Sequence, residues 1–449
     1  MGKLFGTDGI RGVANQYPMT PEMALNIGRA VAVFFKRNGI RSKIVIGKDT
    51  RISGDMLENA LVSGICSTGV DAYLAGILPT PAVAVLTAMI GADAGIVISA
   101  SHNPFYDNGI KIFNSDGYKL SDRTETEIEQ LILSDKTVAS GKHVRETGRV
   151  FKIEDAANRY ENFLIDAMPP RCSFKGLNII VDCANGATYQ VAPAVLKKLG
   201  AEVETLFANP DGKNINENCG SQHPEVLMKT LVDRRAHIGL AFDGDGDRLI
   251  AVDENGAVII GDQILAICAK YLKQKGLLKN DLVISTVMSN LGLGLALANM
   301  AIIHKMTDVG DRHVMEEMVA SEAVLGGEDS GHTIFLDRHT TGDGLFTALR
   351  LIEVMHAESK PLSELCKIMA VFPQVLKNVN VQRKPDIGSI PEIKNAIKTV
   401  EERLGSKGRV LVRYSGTQPK CRIMVEGPTL EETEQYCNQL ADIIKDKLG

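Results

Sequence analysis

One pattern recurs three times along this chain, and it narrows the possible folds more than any other feature. An apolar strand comes first: Lys43-Ile44-Val45-Ile46-Gly47, then Leu177-Asn178-Ile179-Ile180-Val181, then Asp281-Leu282-Val283-Ile284-Ser285. Each runs through a polar or glycine-containing loop into a helical stretch of small and apolar residues, from Gly54 to Thr68, Tyr189 to Leu199 and Leu291 to Met300. A further strand follows, such as Ala72-Tyr73-Leu74 or Glu202-Val203-Glu204-Thr205-Leu206. Strand and helix alternating at this spacing predict βαβ units around largely parallel sheets. The repeats are unevenly spaced, which points to three related domains and not to a solenoid.

A chain of 449 residues is too long for one core, and its length suggests about three or four domains. A helical stripe of Ile153, Ala156, Tyr160, Phe163 and Ala167 runs into Pro169-Pro170 and marks a first boundary near residue 155. Asn255-Gly256, after the strand Arg248 to Asp253, marks a second, and Phe372-Pro373 a third. Beyond it the pattern changes to strands at Val379–Val381, Val410–Val412 and Ile423–Val425 and a closing helix. That helix is opened by Thr429 and Glu432 at capping-box spacing and striped by Leu430, Tyr436, Leu440 and Ile444. The expected fold class is therefore α/β: three related βαβ-type domains with mixed, largely parallel sheets, at 1–155, 156–256 and 257–370, and a C-terminal α+β domain at 371–449.

The bulk numbers exclude several functions. A net charge of −5, with no lysine- or arginine-rich block, gives no footprint for nucleic acid. The eight cysteines are scattered without a C-x-x-C pair, which fits free thiols in a reducing compartment better than disulfides or a zinc site. Pro81 to Ala100 is the longest greasy region, but Gly91 and Asp93 interrupt it, so it reads as helix, turn and strand and not as a membrane span. The N-terminus lacks a signal-peptide core, and Gly6 stands where a myristoylation signal needs Ser or Thr. A soluble cytoplasmic protein is expected.

The chemistry gathers on loops. Ser99-Ala100-Ser101-His102-Asn103-Pro104 follows the apolar run Gly95-Ile96-Val97-Ile98 and precedes a turn rich in Gly, Asn and Tyr that ends at Lys111. In α/β folds, loops leaving the carboxyl ends of strands are where ligands and reactions collect. Alone, this hexapeptide is an ordinary turn; the rest of the chain gives it weight. Asp243-Gly244-Asp245-Gly246-Asp247-Arg248 follows the strand Ile238–Phe242. Three carboxylates within five residues repel one another unless a cation sits among them, and oxygen-only ligation favours a hard ion, Mg²⁺ or Mn²⁺. An EF-hand is rejected because Arg248 falls where that loop needs glycine.

Two further segments suit anions. Arg413-Tyr414-Ser415-Gly416-Thr417, with Arg422 nearby, offers guanidinium forks, hydroxyls and backbone N–H groups. Phe5-Gly6-Thr7-Asp8-Gly9-Ile10-Arg11-Gly12 is a glycine-rich loop presenting one arginine. No Walker A loop surrounds Gly47-Lys48. Gly327-Glu328-Asp329-Ser330-Gly331-His332 joins two apolar strands. Glu328 and Ser330 can grip vicinal sugar hydroxyls, and His332 can titrate near neutrality.

In this order, the segments resemble the α-D-phosphohexomutase superfamily over essentially the whole chain. The opening residues 5–12, the form of 99–104 and the length look most like its bacterial amino-sugar branch, which interconverts glucosamine 6-phosphate and glucosamine 1-phosphate on the way to UDP-N-acetylglucosamine and the cell wall. The resemblance implies four domains around one central cleft, each contributing a loop. Ser101 would be the phosphoserine, its phosphate completing a Mg²⁺ shell made by Asp243, Asp245 and Asp247. Arg11 and Arg248 would neutralise the transferring phosphoryl group, with Lys111 and His332 as proton-transfer candidates. Glu328 and Ser330 would hold the sugar. Arg413, Ser415, Gly416, Thr417 and Arg422 would hold the phosphate that is not reacting. A bisphosphorylated sugar is the implied intermediate and activator, and a homodimer is carried over from the family alone. Tyr414 and Gln418 depart from the common form of the last loop.

Such a site would have to accept the intermediate in two orientations, so gripping ring hydroxyls and a distal phosphate suits it. A chain with no Trp also lacks one rigid stacking platform. Rival readings are a phosphomannomutase/phosphoglucomutase with the same machinery, a Mg²⁺-dependent sugar phosphatase with Asp243 as nucleophile and Asp245 as acid/base, and a non-catalytic sugar-phosphate sensor. The loop Val309-Gly310-Asp311-Arg312 is assigned a part in telling an amino group from a hydroxyl.

Overall fold

The computed structural model describes residues 4–6, 8–37, 41–134, 146–170, 172–415 and 419–449. They fall into two compact units: Met1–Val287 with Ile302–Lys367, and Met288–Ala301 with Ile368–Gly449.

The first unit carries three sheets. The first runs Ile10–Val13, Asp107–Asn114, Ala94–Ile98, Lys43–Lys48, Asp71–Ile77, Val150–Lys152. Its last four strands pair in parallel, because helices such as Ser53–Cys66 carry the chain back between them. Ala94–Ile98 and Asp107–Asn114 are joined by a turn too short for such a crossover and pair antiparallel. The second sheet, Val258–Ile259, Leu249–Asp253, Ile238–Phe242, Asn178–Asp182, Glu202–Leu206, repeats this plan. Asn178–Asp182 pairs in parallel with both neighbours, while Ile238–Phe242 and Leu249–Asp253 form an antiparallel hairpin. In the third sheet, Leu282–Thr286 pairs in parallel with Ile303–Thr307 and Leu325–Gly327, and Leu325–Gly327 then forms a hairpin with Thr333–Phe335.

Each sheet is thus a parallel core extended by antiparallel strands, with Ile10–Val13 and Val258–Ile259 adding a further antiparallel pair to the first and second. In each, the turn that leaves the parallel core for its first antiparallel partner carries the segment of interest: Ser101, Asp243–Asp247 and Glu328–His332. The parallel strands are covered on both faces, which is why Ala94–Ile98 is buried throughout and reads as one continuous apolar run. Separate cores form around Ile27, Ile44, Leu61, Ile96 and Ile110, around Ile180, Leu227, Leu231 and Val252, and around Ile284, Val314, Met318 and Ile334.

The second unit is a three-stranded antiparallel sheet, Gln374–Asn380, Lys420–Glu426, Arg409–Tyr414. It packs with helices Pro391–Leu404 and Leu430–Leu448 around Ile393, Val400, Ile423, Leu440 and Ile444. Thr429 Oγ1 accepts from the Glu432 amide at 3.3 Å, capping the last helix where the sequence places its start. Helix Leu291–Asn299 belongs to this unit, its first amide bonded at 3.1 Å to the buried Glu426 carboxylate.

Two local expectations shift. Arg11 lies on the strand Ile10–Val13, opposite Gly109, and not on a loop. Lys111 lies within the strand Asp107–Asn114 and not at the end of a turn. Pairing with a partner strand, which periodicity over so few residues does not announce, ordered both. No helix among the described residues is long and apolar enough to cross a membrane.

Candidate active site

The acidic loop Asp243–Arg248 is the turn of a hairpin whose strands are fully buried. Gly246 takes φ +72°, the left-handed conformation the turn requires. Gly244 admits a close approach: a Cβ there would stand 2.6 Å from the carbonyl oxygen of Ser101. The three carboxylates are buried, and ligand oxygens of all three lie within 4.8 Å of one another. The Oδ1 atoms of Asp245 and Asp247 are buried and accept no hydrogen bond from the described residues. Buried, unsatisfied, all-oxygen donors fit a hard divalent cation.

Ser101 meets this loop from the first sheet. Its hydroxyl donates to Asp243 Oδ2 at 2.6 Å, and its side chain is buried. His102 Nδ1 stands 3.3 Å from the same hydroxyl; burial, then Arg248 and Arg11, push that imidazole down to about 4, so it is neutral at pH 7. Lys111 Nζ reaches Asp245 Oδ2 at 2.8 Å, Asp247 Oδ2 at 3.2 Å and Asp8 at 3.2 Å. Burial works against its charge, but these carboxylates outweigh it and hold the ammonium well above its ordinary value. Burial, then Asp247 and Asp245, push Asp243 well above the usual carboxylate range, as three like charges in one place require. Asp247 is buried as deeply, yet Lys111, His332 and Arg248 bring it well below that range.

Arg11 is paired with Asp8. Arg248 Nε lies 3.9 Å from Asp247 and is buried without a hydrogen-bond partner among the described residues. His332 sets Nδ1 3.8 Å from Asp247 and Nε2 3.4 Å from Asp311. Burial opposes its protonation, but those two carboxylates raise its pKa. Glu328 accepts from the Gly310 amide at 3.2 Å, and the Ser330 hydroxyl is buried without a hydrogen-bond partner among the described residues. The first unit therefore brings together Ser101, Arg11, Lys111, the aspartate trio, Arg248 and His332, with Glu328 and Ser330 on the adjoining hairpin. Glycine again permits the contact, since a Cβ on Gly331 would meet Leu249 O at 2.1 Å.

The second unit places Arg413 opposite Arg422 on neighbouring strands, with Ser415 at the strand end and Lys384 donating to its carbonyl at 2.6 Å. Gly416, Thr417 and Gln418 lie outside the described residues. In the loop assigned to amino-group discrimination, Asp311 is bound by Lys119, and Arg312 by Asp122 and Glu125. The Gly310 amide of that loop donates to Glu328.

Sequence reasoning missed Thr80. It begins the helix Thr80–Met89, donates its hydroxyl to Asp245 Oδ2 at 2.5 Å and its amide to Asp245 O at 2.9 Å. It also missed Asp49 and Arg51, which leave the carboxyl end of strand Lys43–Lys48, the position where ligating loops collect, and that signal was available.

Repeated α/β domains presenting a serine to a buried carboxylate trio define a phosphotransferase of the phosphosugar-mutase type. Four family descriptions match: phosphoglucomutase/phosphomannomutase alpha/beta/alpha domain I over residues 2–139, domain II over 158–256, domain III over 260–372 and the C-terminal domain over 376–443. A phosphoglucosamine mutase of Syntrophus aciditrophicus (strain SB) is 60% identical over 449 residues, and one of Syntrophobacter fumaroxidans 56%, both chains covered in full each time. Among solved structures, a phosphoglucomutase/phosphomannomutase family protein from Burkholderia thailandensis superposes with a TM-score of 0.80 at 24% identity, covering 98% of this chain and 97% of that one. An Aspergillus fumigatus N-acetylphosphoglucosamine mutase, solved with GlcNAc-6P and magnesium, gives 0.68 at 15% identity, covering 99% and 96%; both share the fold. The chain belongs to the phosphoglucomutase/phosphomannomutase family and, within it, to the bacterial phosphoglucosamine mutases, enzymes of intramolecular phosphoryl transfer.

Proposed function

We propose that the chain interconverts glucosamine 6-phosphate and glucosamine 1-phosphate through a phosphoserine at Ser101. The observation that carries this is the Ser101 hydroxyl 2.6 Å from Asp243 inside a buried acidic trio. In the forward step the bond between phosphorus and Ser101 Oγ breaks as the free sugar hydroxyl bonds to phosphorus, giving a bisphosphate. The hydroxyl proton leaves as the new bond forms and the departing oxygen gains one, with Lys111 and His332 the acid/base candidates for these transfers. The bisphosphate turns over and returns its other phosphoryl group to Ser101. Asp243, Asp245 and Asp247 would hold Mg²⁺, which would supply neutralising charge at the transferring oxygens.

Arg11 and Arg248 add fixed positive charge at the same place. Glu328 and Ser330 hold the sugar hydroxyls, and the free Ser330 hydroxyl supports that role. Arg413, Ser415, Gly416, Thr417 and Arg422 hold the phosphate that is not reacting. Domain limits of 1–155, 156–256, 257–370 and 371–449, a cytoplasmic location and a homodimer belong to the same proposal.

Phosphopeptide mass spectrometry on the isolated protein, together with turnover of glucosamine 6-phosphate, tests it. Phosphate on Ser101 and conversion to the 1-phosphate are expected. Faster turnover of glucose or mannose 1-phosphate would assign the neighbouring branch, and inorganic phosphate without isomer would assign a phosphatase.

A further inference from the structure

Ser101 adopts φ +53°, a left-handed conformation unusual for a residue with a side chain. Such a conformation persists only where the surroundings over-determine it. Both polar atoms of its backbone are held. Its amide donates to Ser99 Oγ at 2.9 Å. Its carbonyl accepts from Arg51 Nη2 at 3.1 Å and from Asn216 Nδ2 at 2.9 Å. The same two donors reach the carbonyl of Asn103, Arg51 at 2.5 Å and Asn216 at 3.0 Å. Two side chains distant in sequence thus share two carbonyls, one on each side of His102.

Neither donor is free to drift. Arg51 is buried and ion-paired with Asp49, which also accepts from the Arg51 amide at 2.9 Å. Asn216 sits at φ +58°, with its own amide bonded to Ala184 O at 2.9 Å. Its side chain lies against the acidic loop, since a Cβ on Gly244 would stand 2.7 Å from Asn216 Nδ2.

We propose that Arg51 and Asn216 are positioning residues that clamp the main chain of Ser101 and Asn103, holding the serine Oγ aimed at the acidic trio through both phosphoryl transfers. The clamp touches only carbonyl oxygens, so the hydroxyl stays free to gain and lose a phosphoryl group. Asn216 comes from the second repeat and Ser101 from the first, so the clamp also fixes the serine turn against the segment that flanks the acidic loop. The inference rests on the phosphoserine reading above.

Asn216→Gly is the decisive variant, because glycine keeps the left-handed backbone and removes only the amide. Asn216→Asp keeps the shape but turns a carboxylate oxygen on the two carbonyls. Phosphorylated wild type and variants are mixed with sugar phosphate, and loss of phosphate from Ser101 is followed in a single turnover. Steady-state kcat, KM and thermal midpoints are measured on the same preparations. The clamp predicts transfer slowed roughly tenfold to a hundredfold, with KM within about twofold and the fold intact. Wild-type transfer in Asn216→Gly, a defect confined to KM, or a loss that merely follows the unfolded fraction overturns the clamp. If Asn216→Gly does not fold, Asn216→Asp decides by the same criteria. Wild-type protein that never carries phosphate on Ser101 overturns the phosphoserine reading and the clamp together; a phosphorylated wild type matched by its variants overturns the clamp alone.

Discussion

Ser101 and Asp243, separated by 142 positions in the chain, are joined by a 2.6 Å hydrogen bond between buried side chains. A hydroxyl bonded to a carboxylate beside two further carboxylates stands where a phosphoryl group would meet a bound cation. Ser101→Ala removes the oxygen proposed to carry the group. The expected result is a fall in kcat of roughly 10⁴-fold or more, the scale seen when a covalent nucleophile is deleted. Coupled-assay kinetics, with mass spectrometry to verify the absence of phosphate at 101, checks it.

Thr80 steadies Asp245 through two hydrogen bonds, one from its hydroxyl and one from its amide. Residues that orient a metal ligand commonly carry tenfold to hundredfold in affinity. Thr80→Val should therefore weaken Mg²⁺ binding by about 10-fold to 100-fold, and Thr80→Ser should restore most of it. Calorimetric titration of chelator-treated protein reads the affinity. Thermal melts with and without Mg²⁺ should show the ion raising the midpoint of wild type, and not of Asp245→Ala.

Asp182 ends the strand Asn178–Asp182 of the second sheet and accepts backbone hydrogen bonds from Ala184 at 2.8 Å and Gly220 at 2.9 Å. Burial pushes its pKa up to about 6 despite those donors. An acid raised in the folded state contributes stability that is complete below its unfolded pKa near 4 and is lost as pH rises through the folded value. The loss amounts to about 3 kcal/mol. Urea unfolding of wild type and Asp182→Asn should give a stability difference that favours wild type most near pH 4, declines to about pH 6 and is flat above. A difference independent of pH would contradict it.

Glu426 is wholly buried in the second unit and accepts from the Leu291 amide at 3.1 Å, Gln374 Nε2 at 2.9 Å and the Arg409 guanidinium. Glu426→Ala would take the carboxylate from all three donors, one of them charged, leaving Gln374 with Met288 O and Arg409 with Ser289 O. It should destabilise the second unit by about 3 kcal/mol, toward the low end for a broken buried pair because Arg409 is partly exposed. Hydrogen exchange in helix Leu291–Asn299 should rise with it, while the sheets of the first unit keep their protection.

The alternation of strands and helices was legible because local spacing dictates it. Apolar runs such as Ile44–Ile46 and Ile179–Val181 must be covered on two faces, and the small residues after them must form the cover. The acidic trio was legible too, since three carboxylates on five residues have no comfortable arrangement without a cation. Thr80 and Asn216 were not, and for Arg51 only its place after the carboxyl end of a strand was legible, not what it binds. Their neighbours in sequence give an apolar helix, a charged loop and an Asn-rich turn, and nothing in those stretches names a carbonyl or carboxylate in another repeat.

What the sequence determined by itself was which residues share a turn, because a few covalent bonds leave a short loop little choice. Where the turns meet was decided only by tertiary packing. Three sheets had to stack with glycines at 244 and 331 before a serine from the first could touch an aspartate from the second and a histidine from the third could face the same trio. Contacts of that range arise from the burial of many side chains at once, and no single segment encodes them.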